Sequence, residues 1–297
     1  GVVALLLQWK HPLRRIIAKT SKQDVQAVVR LVLIGMVILP VLPNEAWGPY
    51  GVLNPFRIWL MVVLIVGISL SAWVAQRLFG QRSGTLAAGL LGGVISSTAT
   101  TVGIARQSKK GGVPAGASAA VVVIASTIVI ARVLFEILIV AAEILPSLAP
   151  PLLITFAWLT LLSIIAFVVF CRRPIEASVS HAPSNLRTAV IFGLLYGGVL
   201  FAVAAAKEYV GQSGLFAVAA LSGLTDMDAI TLSTAQLVNQ GDLAPHIGWR
   251  LIITGVMSNL VFKTVLVAGL GGRAMLIRIL PFMVLAIIGA ALVLVLW

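Results

Sequence analysis

Long apolar segments, separated by short polar or proline-containing turns, follow one another along almost the whole chain. Most hold about 20 residues or more, which is the length that an α-helix needs to cross the ~30 Å hydrocarbon layer of a bilayer. The segments cover residues 24–43, 56–80, 84–107, 113–142, 148–171, 187–206, 214–237, 247–270 and 274–297. We expect the stretch from Pro146 to Pro151 to form one of the turns. The pattern predicts an all-α polytopic membrane protein.

The composition supports this class. Of the 297 residues, 60% are hydrophobic and only 10% are charged, and the mean hydropathy is +1.09. A globular domain carries about 25% charged residues, so this chain uses the lipid bilayer as part of its solvent. A soluble enzyme and a secreted disulfide scaffold are therefore excluded. The net charge of +12 is explained by the excess of Lys and Arg that orients membrane proteins, so no nucleic-acid partner is expected.

The two halves of the chain resemble each other. A shift of 130 residues pairs residues 56–107 with 186–237 without a gap and gives 14 identical pairs, Gly93 with Gly223 among them. When the shift is one residue larger, Arg132 aligns with Lys263. A self-match at a fixed period is the signature of an internal repeat.

The distribution of Lys and Arg indicates how the repeats are oriented. If every segment spans, the inner side holds 11 of these residues and the outer side holds 8. If 84–107 and 214–237 instead enter and return on the same side, the counts become 16 and 3. The second arrangement follows the positive-inside rule and makes the repeats inverted. It places residues 10–22 in the cytoplasm and the C-terminus outside.

Residues in the middle of both segments favour a helix break. Gly92 and Gly93, or Ser222 and Gly223, loosen the helix, and the Ser, Thr and Asp residues that follow offer caps for a restart. We therefore predict two inverted repeats, each with three spanning helices and one re-entrant broken-helix hairpin, plus one extra N-terminal spanning helix. The expected divisions are 1–23 (end of a preceding membrane domain and basic linker), 24–55 (extra helix and outer loop), 56–171 (repeat 1), 172–185 (cytoplasmic linker) and 186–297 (repeat 2).

Two acids inside the second broken segment are the strongest chemical signal. Asp226 and Asp228 each cost about 2.5–3.5 kcal/mol at the bilayer centre, so they need a partner or a ligand. Carboxylates beside helix-break carbonyls suit a hard cation such as Mg²⁺. The structural alternative is that one or both acids only cap the second half-helix.

Polar residues around these acids extend the candidate site. The expected pathway-lining residues are Ser96, Ser97, Thr98, Thr101, Thr231 and Asn259. For a single Ser or Thr, the alternative is a bond to its own helix backbone. Arg132, Lys263 and Glu136 are the expected counter-charges or gate. Arg132 and Glu136 form a favourable i,i+4 pair, and a strong bond from Arg132 to the acids would weaken a cation site.

An enzyme is not expected. The three histidines, at positions 11, 181 and 246, lie in loops or at segment ends, so neither an intramembrane Ser–His pair nor a histidine zinc site is available. Gly269 to Arg273 lacks the spacing of a phosphate loop. No cofactor is expected beyond a transported divalent metal ion.

Two motifs are similar to the signature segments of a known family. Leu91 to Ala105 and Leu221 to Thr231 resemble those of an uncharacterised bacterial membrane domain that commonly follows an MgtC/SapB domain in one polypeptide. Residues 1–22 resemble the end of that preceding domain, so the resemblance implies a longer natural chain with an MgtC/SapB part. By context alone, it also points to magnesium or another metal, and it implies a location in the bacterial inner membrane.

Three functions follow from these observations. The first is a channel or carrier that passes an inorganic cation, foremost a divalent metal ion, between two hairpin tips at the bilayer midplane. The second is an anion or organic-solute transporter that uses half-helix N-termini with Arg132 and Lys263. The third is a regulatory membrane subunit without transport. A homodimer is left open.

Overall fold

The computed structural model describes residues 29, 32–48, 50–79, 84–170 and 186–297, and this part of the chain is almost entirely helical. Its α-helices are α1 (Pro55–Phe79), α2 (Thr85–Lys109), α3 (Ala115–Val140), α4 (Leu145–Phe170), α5 (Leu186–Tyr209), α6 (Gln212–Thr225), α7 (Met227–Asn239), α8 (Pro245–Leu270) and α9 (Arg273–Leu296). Strand-type pairing in the described part is limited to an isolated bridge between Trp47 and Leu53. The predicted linkers 1–23 and 172–185 lie outside the described residues.

The helices coincide with the predicted apolar segments to within about three residues at most ends. The turn expected from Pro146 to Pro151 is wrong, because α4 already begins at Leu145 and holds Pro150 and Pro151 inside it. Pro146 is in the first turn of α4, where its missing N–H would have no intrahelical acceptor, whereas Pro150 and Pro151 lie beyond that turn. A short 3₁₀ turn, Ala142–Ile144, makes the connection to α3 instead.

Several helices have the length and the composition to cross a membrane. Within the described residues, five stretches qualify, namely Thr85–Lys109, Ala115–Val140, Ala142–Phe170, Pro245–Leu270 and Arg273–Leu296. Shorter apolar stretches lie in α1, α5 and α6. Large apolar side chains such as Val168, Leu194 and Val265 are exposed on the outside of the bundle, where lipid replaces water. The chain is therefore an all-helical, multi-pass membrane protein.

Helix α3 is at the centre of the bundle and α9 is at its edge. Every residue from Ala117 to Thr127 is buried, so α3 is surrounded by other helices. In α9, the buried residues form a single stripe that includes Met275, Ile279 and Met283, and the opposite face is exposed. Side chains that α3 carries inward are consequently shielded from both lipid and water.

The segment before α1 is irregular where it is described. Leu33–Ile38 forms a π-helical turn and Leu39–Val41 a 3₁₀ turn. The indole of Trp59 donates to the carbonyl of Ile34 at 2.9 Å and ties this segment to α1. The extra spanning helix expected at 24–43 stays a prediction, because most of its first part lies outside the described residues.

Two helices are interrupted at matching places. In α2, Ser96 has an extended backbone (φ −170°, ψ 107°) and separates the half-helices 85–95 and 97–109. Between α6 and α7, Asp226 has nearly the same conformation (φ −152°, ψ 126°). Ser96 and Asp226 are 130 residues apart, which is the shift that aligns the two halves of the sequence. The predicted breaks are thus present in both segments.

Candidate functional site

Each helix break is capped by the side chain at which it occurs. The hydroxyl of Ser96 accepts a hydrogen bond from the amide of Ala99 at 3.2 Å, and the carboxylate of Asp226 accepts one from the amide of Asp228 at 2.8 Å. Both bonds satisfy amides that have no acceptor within the helix that restarts there. The capping role considered for the acids therefore belongs to Asp226.

Arg132 connects the two breaks. Its Nη1 donates to the carbonyl of Val94 at 3.2 Å, in the last turn before the break in α2. Its Nη2 donates to the carboxylate of Asp228, in the first turn after the break at Asp226. A cation at the C-terminal end of a half-helix is favourable because that end carries partial negative charge. One buried guanidinium on α3 therefore holds both interrupted helices at a single point.

Glu136 lies one helical turn beyond Arg132 and is fully buried. Its Oε1 is 3.4 Å from Nε of Arg132. Among the described residues, neither carboxylate oxygen of Glu136 has a hydrogen-bond partner, and Nε of Arg132 has none either. The i,i+4 pair expected from the sequence is present as a charge contact, but the main hydrogen bonds of Arg132 go to the two breaks.

Lys263 lies inside the same region and is also fully buried. Its ammonium group donates to the hydroxyl of Ser126 on α3 at 3.2 Å. That hydroxyl in turn donates to the carbonyl of Val122 at 2.8 Å. Lys263 therefore joins α8 to α3, and its role as direct counter-charge to Asp226 or Asp228 stays a prediction.

Asn259 on α8 bonds to the backbone close to the second break. Its amide Nδ2 donates to the carbonyl of Gly223 at 2.9 Å, close to the end of α6. The neighbouring Ser258 donates to the carbonyl of Ala220 at 2.5 Å. Both bonds satisfy carbonyls near the end of a half-helix, which is the position that Arg132 satisfies at the first break. The polar side chains of α8 thus act here as supports between helices.

The predicted lining hydroxyls fall into two groups. The hydroxyl of Thr101 donates to the carbonyl of Ser97 at 2.8 Å, so it bonds to its own helix as the alternative reading expected. The hydroxyl of Thr231 is buried and has no partner among the described residues, and the same holds for Thr100 and Thr234. Ser97 is buried and Thr98 is partly exposed, and a role for them in a pathway stays a prediction.

The structure adds residues that the sequence did not single out. Tyr196, fully buried on α5, donates to the amide oxygen of Gln236 on α7 at 2.7 Å. Ser126 holds Lys263, and the carbonyl of Val94 holds Arg132. A backbone carbonyl has no signal in side-chain patterns. Tyr196 and Ser126 do have such a signal, because each is a polar residue within an apolar run.

The charges at this site leave one negative charge in excess when all groups are ionised. Asp226, Asp228 and Glu136 contribute three negative charges, and Arg132 and Lys263 contribute two positive ones. Within the described residues, no three His, Cys, Asp or Glu side chains are grouped so that they could hold a metal ion by themselves. A bound cation would therefore need oxygen ligands from carbonyls or hydroxyls besides the acids.

Comparisons with known proteins identify relatives without an assigned activity. The family model described as "Domain of unknown function (DUF4010)" matches residues 63–271, which is more than half of the chain. An "Uncharacterized protein" of Aquifex aeolicus (strain VF5) is 29% identical over 178 residues, covering 59% of this chain and 77% of that protein. No solved structure matches the chain.

Proposed function

Since the chain belongs to the family of the domain of unknown function DUF4010, which carries no assigned activity, we propose its function from the geometry of the two breaks. We propose that the protein is a channel or carrier that passes a cation across the membrane at the point where the breaks meet. The observation that carries this proposal is that buried Arg132 bonds to both breaks, through the carbonyl of Val94 and the carboxylate of Asp228.

The contacts of α2 support a re-entrant hairpin. A Cβ on Gly89 would lie 2.7 Å from Cβ of Ile124, and one on Gly93 would lie 2.7 Å from Cβ of Ile128, so 85–95 advances in the same direction as α3. The second half leads into α3 through a short turn closed by Gly112 N to Gln107 O at 3.0 Å. It therefore runs back along α3, and we propose that the two halves enter and leave the membrane on one side.

A contact across the break supports the same conclusion. A Cβ on Gly92 would lie 2.6 Å from the hydroxyl oxygen of Thr100. In a straight helix, eight residues rise about 12 Å, so these two groups could not meet. Thr85–Lys109 is long enough to cross the membrane by residue count. Bent in this way at Ser96, it instead reaches only part of the depth.

The contacts of α6 and α7 with α8 support a second hairpin. Going along α6, Ala219 faces Gly255 and the later Gly223 bonds to the later Asn259, so α6 advances with α8. Going along α7, Ile230 faces Gly255 whereas the later Val238 faces the earlier Gly248. Helix α7 consequently runs opposite to α8. Gly255 itself contacts both helices, which places α6 and α7 side by side.

The relation of α3 to α8 supports opposite entry of the two hairpins. Asp228 follows Met227, which faces Gly255 of α8, and it bonds to Arg132 of α3. Further along α8, Lys263 bonds to Ser126, which is earlier in α3. The two helices therefore run in opposite directions, and so do the hairpins packed along them. We propose an inverted repeat with its two tips at mid-membrane, as in many transporters.

The charges favour a cation over an anion. The restart at α7, which as a helix N-terminus attracts anions, already holds the carboxylate of Asp226. The excess negative charge of the site is neutralised by one bound positive charge. Asp226 and Asp228 offer hard oxygen ligands, so Mg²⁺ and Na⁺ are the first ions to test. An anion transporter that uses Arg132 and Lys263 is the weaker alternative, because Arg132 is already bonded to Asp228.

A specific observation favours one other function. Arg132 joins the two breaks through its bonds to Val94 and Asp228, and such a link would also suit a rigid membrane subunit that transports nothing. This alternative predicts that replacing Asp228 lowers stability and that neither the unaltered protein nor the variant shows ion flux.

We also propose the orientation and partners expected from the sequence: an inner-membrane protein with its C-terminus outside, linked to an MgtC/SapB domain. Reporter fusions at the C-terminus, active only on one side, test the orientation.

Flux into proteoliposomes tests the proposal. The purified protein would be reconstituted, and uptake of Mg²⁺ and of Na⁺ would be followed with ion-sensitive dyes for the unaltered chain, Asp226→Asn and Asp228→Asn. We expect uptake that both substitutions abolish. Glu143→Gln is the matched control, because Glu143 is exposed and outside the site. Uptake that is absent, or that survives both substitutions, contradicts the proposal.

A further inference from the structure

One end of the helical bundle carries exposed basic side chains from two distant parts of the chain. The end of α2 and the turn between α8 and α9 are adjacent there, because a Cβ on Gly272 would lie 4.0 Å from Cγ of Lys109. The start of α3 and the end of α4 are also adjacent, since Gly116 faces Phe170. We call this region the basic end and define it by five exposed residues: Arg106, Lys109, Lys110, Arg273 and Arg278.

The exposed acids of the described residues lie at the opposite end of the bundle: Glu45, Glu143, Glu208 and Asp242. Glu143 and Asp242 come just before α4 and α8, whose first turns are adjacent because Gly248 faces Leu148. Tyr50 and Glu208 line one cavity with Asp242, which brings the segment before α1 and the end of α5 to this same end. Within the described part of the chain, the charge of the basic end is therefore not neutralised by a neighbouring acid.

The basic end borders an apolar surface that faces lipid. Continuing from Arg273 along one side of α9, every large side chain is exposed, in the order Ile277, Leu280, Val284 and Ile288. Their spacing of three or four residues keeps them on the same side of the helix. From Ile277 to Ile288 the helix rises about 16 Å, which is close to half of the ~30 Å hydrocarbon layer. This apolar stripe therefore matches the depth of one lipid leaflet.

The side chain of Arg278 is directed toward the start of α9. Its Nη1 donates to the carbonyl of Ala274 at 2.7 Å, one helical turn closer to the basic end. Arg side chains near the ends of apolar helices extend in this way so that the charged group reaches the lipid headgroups. The direction of Arg278 thus indicates that the headgroup layer lies at the level of the basic end.

We propose that the basic end binds a phospholipid with an anionic headgroup. The phosphate lies at Lys109 and Arg273, and one acyl chain follows the apolar stripe of α9. Lys and Arg side chains at the membrane surface attract anionic lipids, and the stripe adds contacts that a soluble anion cannot make. Neither helix break takes part, so this binding is independent of the proposed cation transport.

A lipid bound in this way joins two turns that are far apart in the sequence. Lys109 ends α2, whereas Arg273 begins α9, and both would contact the same headgroup. A ligand that binds the folded chain and not the unfolded chain raises the stability of the fold. Anionic lipid should therefore raise the thermal unfolding midpoint of the protein.

Competition between lipids tests this inference. The purified protein in detergent would receive equal amounts of phosphatidylglycerol and phosphatidylcholine with identical acyl chains, and bound lipid would be counted by native mass spectrometry. We expect phosphatidylglycerol to be retained in preference and to raise the unfolding midpoint more than phosphatidylcholine does. Equal retention of the two lipids overturns the inference.

Glycerol 3-phosphate distinguishes a lipid site from a site for a soluble anion. It carries the phosphate charge but has no acyl chains to contact the stripe. At the same concentration as the lipid, it should neither displace phosphatidylglycerol nor raise the unfolding midpoint. Displacement under these conditions overturns the assignment to a lipid.

Substitutions at the basic end provide the second arm. Lys109→Gln and Arg273→Gln should each weaken retention of phosphatidylglycerol about fivefold, the usual effect of one basic residue at the surface. Lys109→Arg keeps the charge and should keep the preference. Arg57→Gln, which removes an exposed basic residue near the opposite end, is the matched control. A preference that survives both Gln substitutions, or that Arg57→Gln weakens equally, overturns the inference. Unfolding midpoints measured without lipid verify that each variant is folded.

Discussion

The two helix breaks share a backbone conformation but differ in charge. At both, a residue with an extended backbone caps the half-helix that follows it. A polar side chain of the next long helix, Arg132 on α3 or Asn259 on α8, donates to a carbonyl of the half-helix that precedes the break. At the first break the capping residue is neutral Ser96, and at the second it is Asp226, with Asp228 two residues later. Comparing the two breaks distinguishes the features that form a break from the charges that are available to bind an ion.

The shared features are structural and the differing ones are chemical. A serine is sufficient to cap a half-helix, so the first break needs no charge. The charge of Asp226 therefore exceeds what capping requires, whereas the charge of Asp228 is compensated by Arg132 on α3. A charge within a membrane segment that capping does not require supports the binding site proposed above.

The largest effect is expected from removing the residue that joins the breaks. Arg132→Met leaves Asp228 and Glu136 buried without their cation and the carbonyl of Val94 without its donor. Breaking a buried pair from one side costs about 3–5 kcal/mol. We expect a marked fall in the thermal unfolding midpoint in detergent. The exposed Arg273→Gln is the control, and equal midpoints for the two variants would contradict the assigned role.

Substitution of the paired glycines should affect both breaks to a similar degree. A Cβ on Gly93 would lie 2.8 Å from the carbonyl oxygen of Ala125, and one on Gly223 would lie 2.6 Å from Cα of Gly255. Because the contacts are with backbone, each Ala variant should lose about 1–3 kcal/mol of stability through overpacking. Gly103→Ala meets open space and is the control. A loss at only one break would show that the two are not packed alike.

The smallest effect on stability is expected from exchanging the caps. Ser96→Ala and Asp226→Ala should each cost about 1 kcal/mol, the usual value for a lost N-cap. Asp226→Ser should cost less, because it copies the first break, yet it removes a proposed ligand. We therefore expect Asp226→Ser to keep its unfolding midpoint while cation uptake into proteoliposomes falls. Uptake that is unchanged in this variant would remove Asp226 from the site.

The sequence predicted the positions of the helices and of both breaks because those features are local. A run of about 20 apolar residues specifies a helix, and the glycines followed by capping residues specify an interruption. The turn at Pro146 was wrong because a proline in the first helical turn has the same sequence signal as one in a loop. Local sequence patterns thus predicted the helices but not every helix end.

The partners within the site were beyond sequence reasoning. Arg132 and Asp228 are 96 residues apart, and nothing local distinguishes that pairing from one between Arg132 and Asp226. The match of Arg132 with Lys263 in the two halves predicts a shared role, which stays a prediction, and it gave no sign of the bond from Lys263 to Ser126. A backbone carbonyl such as that of Val94 leaves no trace in the pattern at all. These contacts depend on how helices pack, which only three-dimensional structure provides.

An experimental structure of the protein in lipid, determined with and without saturating Mg²⁺ or Na⁺, tests the central claim most directly. The account predicts both hairpin tips at mid-membrane. With cation present, it also predicts ion density about 2.0–2.6 Å from oxygens of Asp226 and Asp228. A continuous helix through Ser96 or Asp226 that emerges on the far side, or an unaltered pair of Arg132 and Asp228 with no ion density, would contradict it.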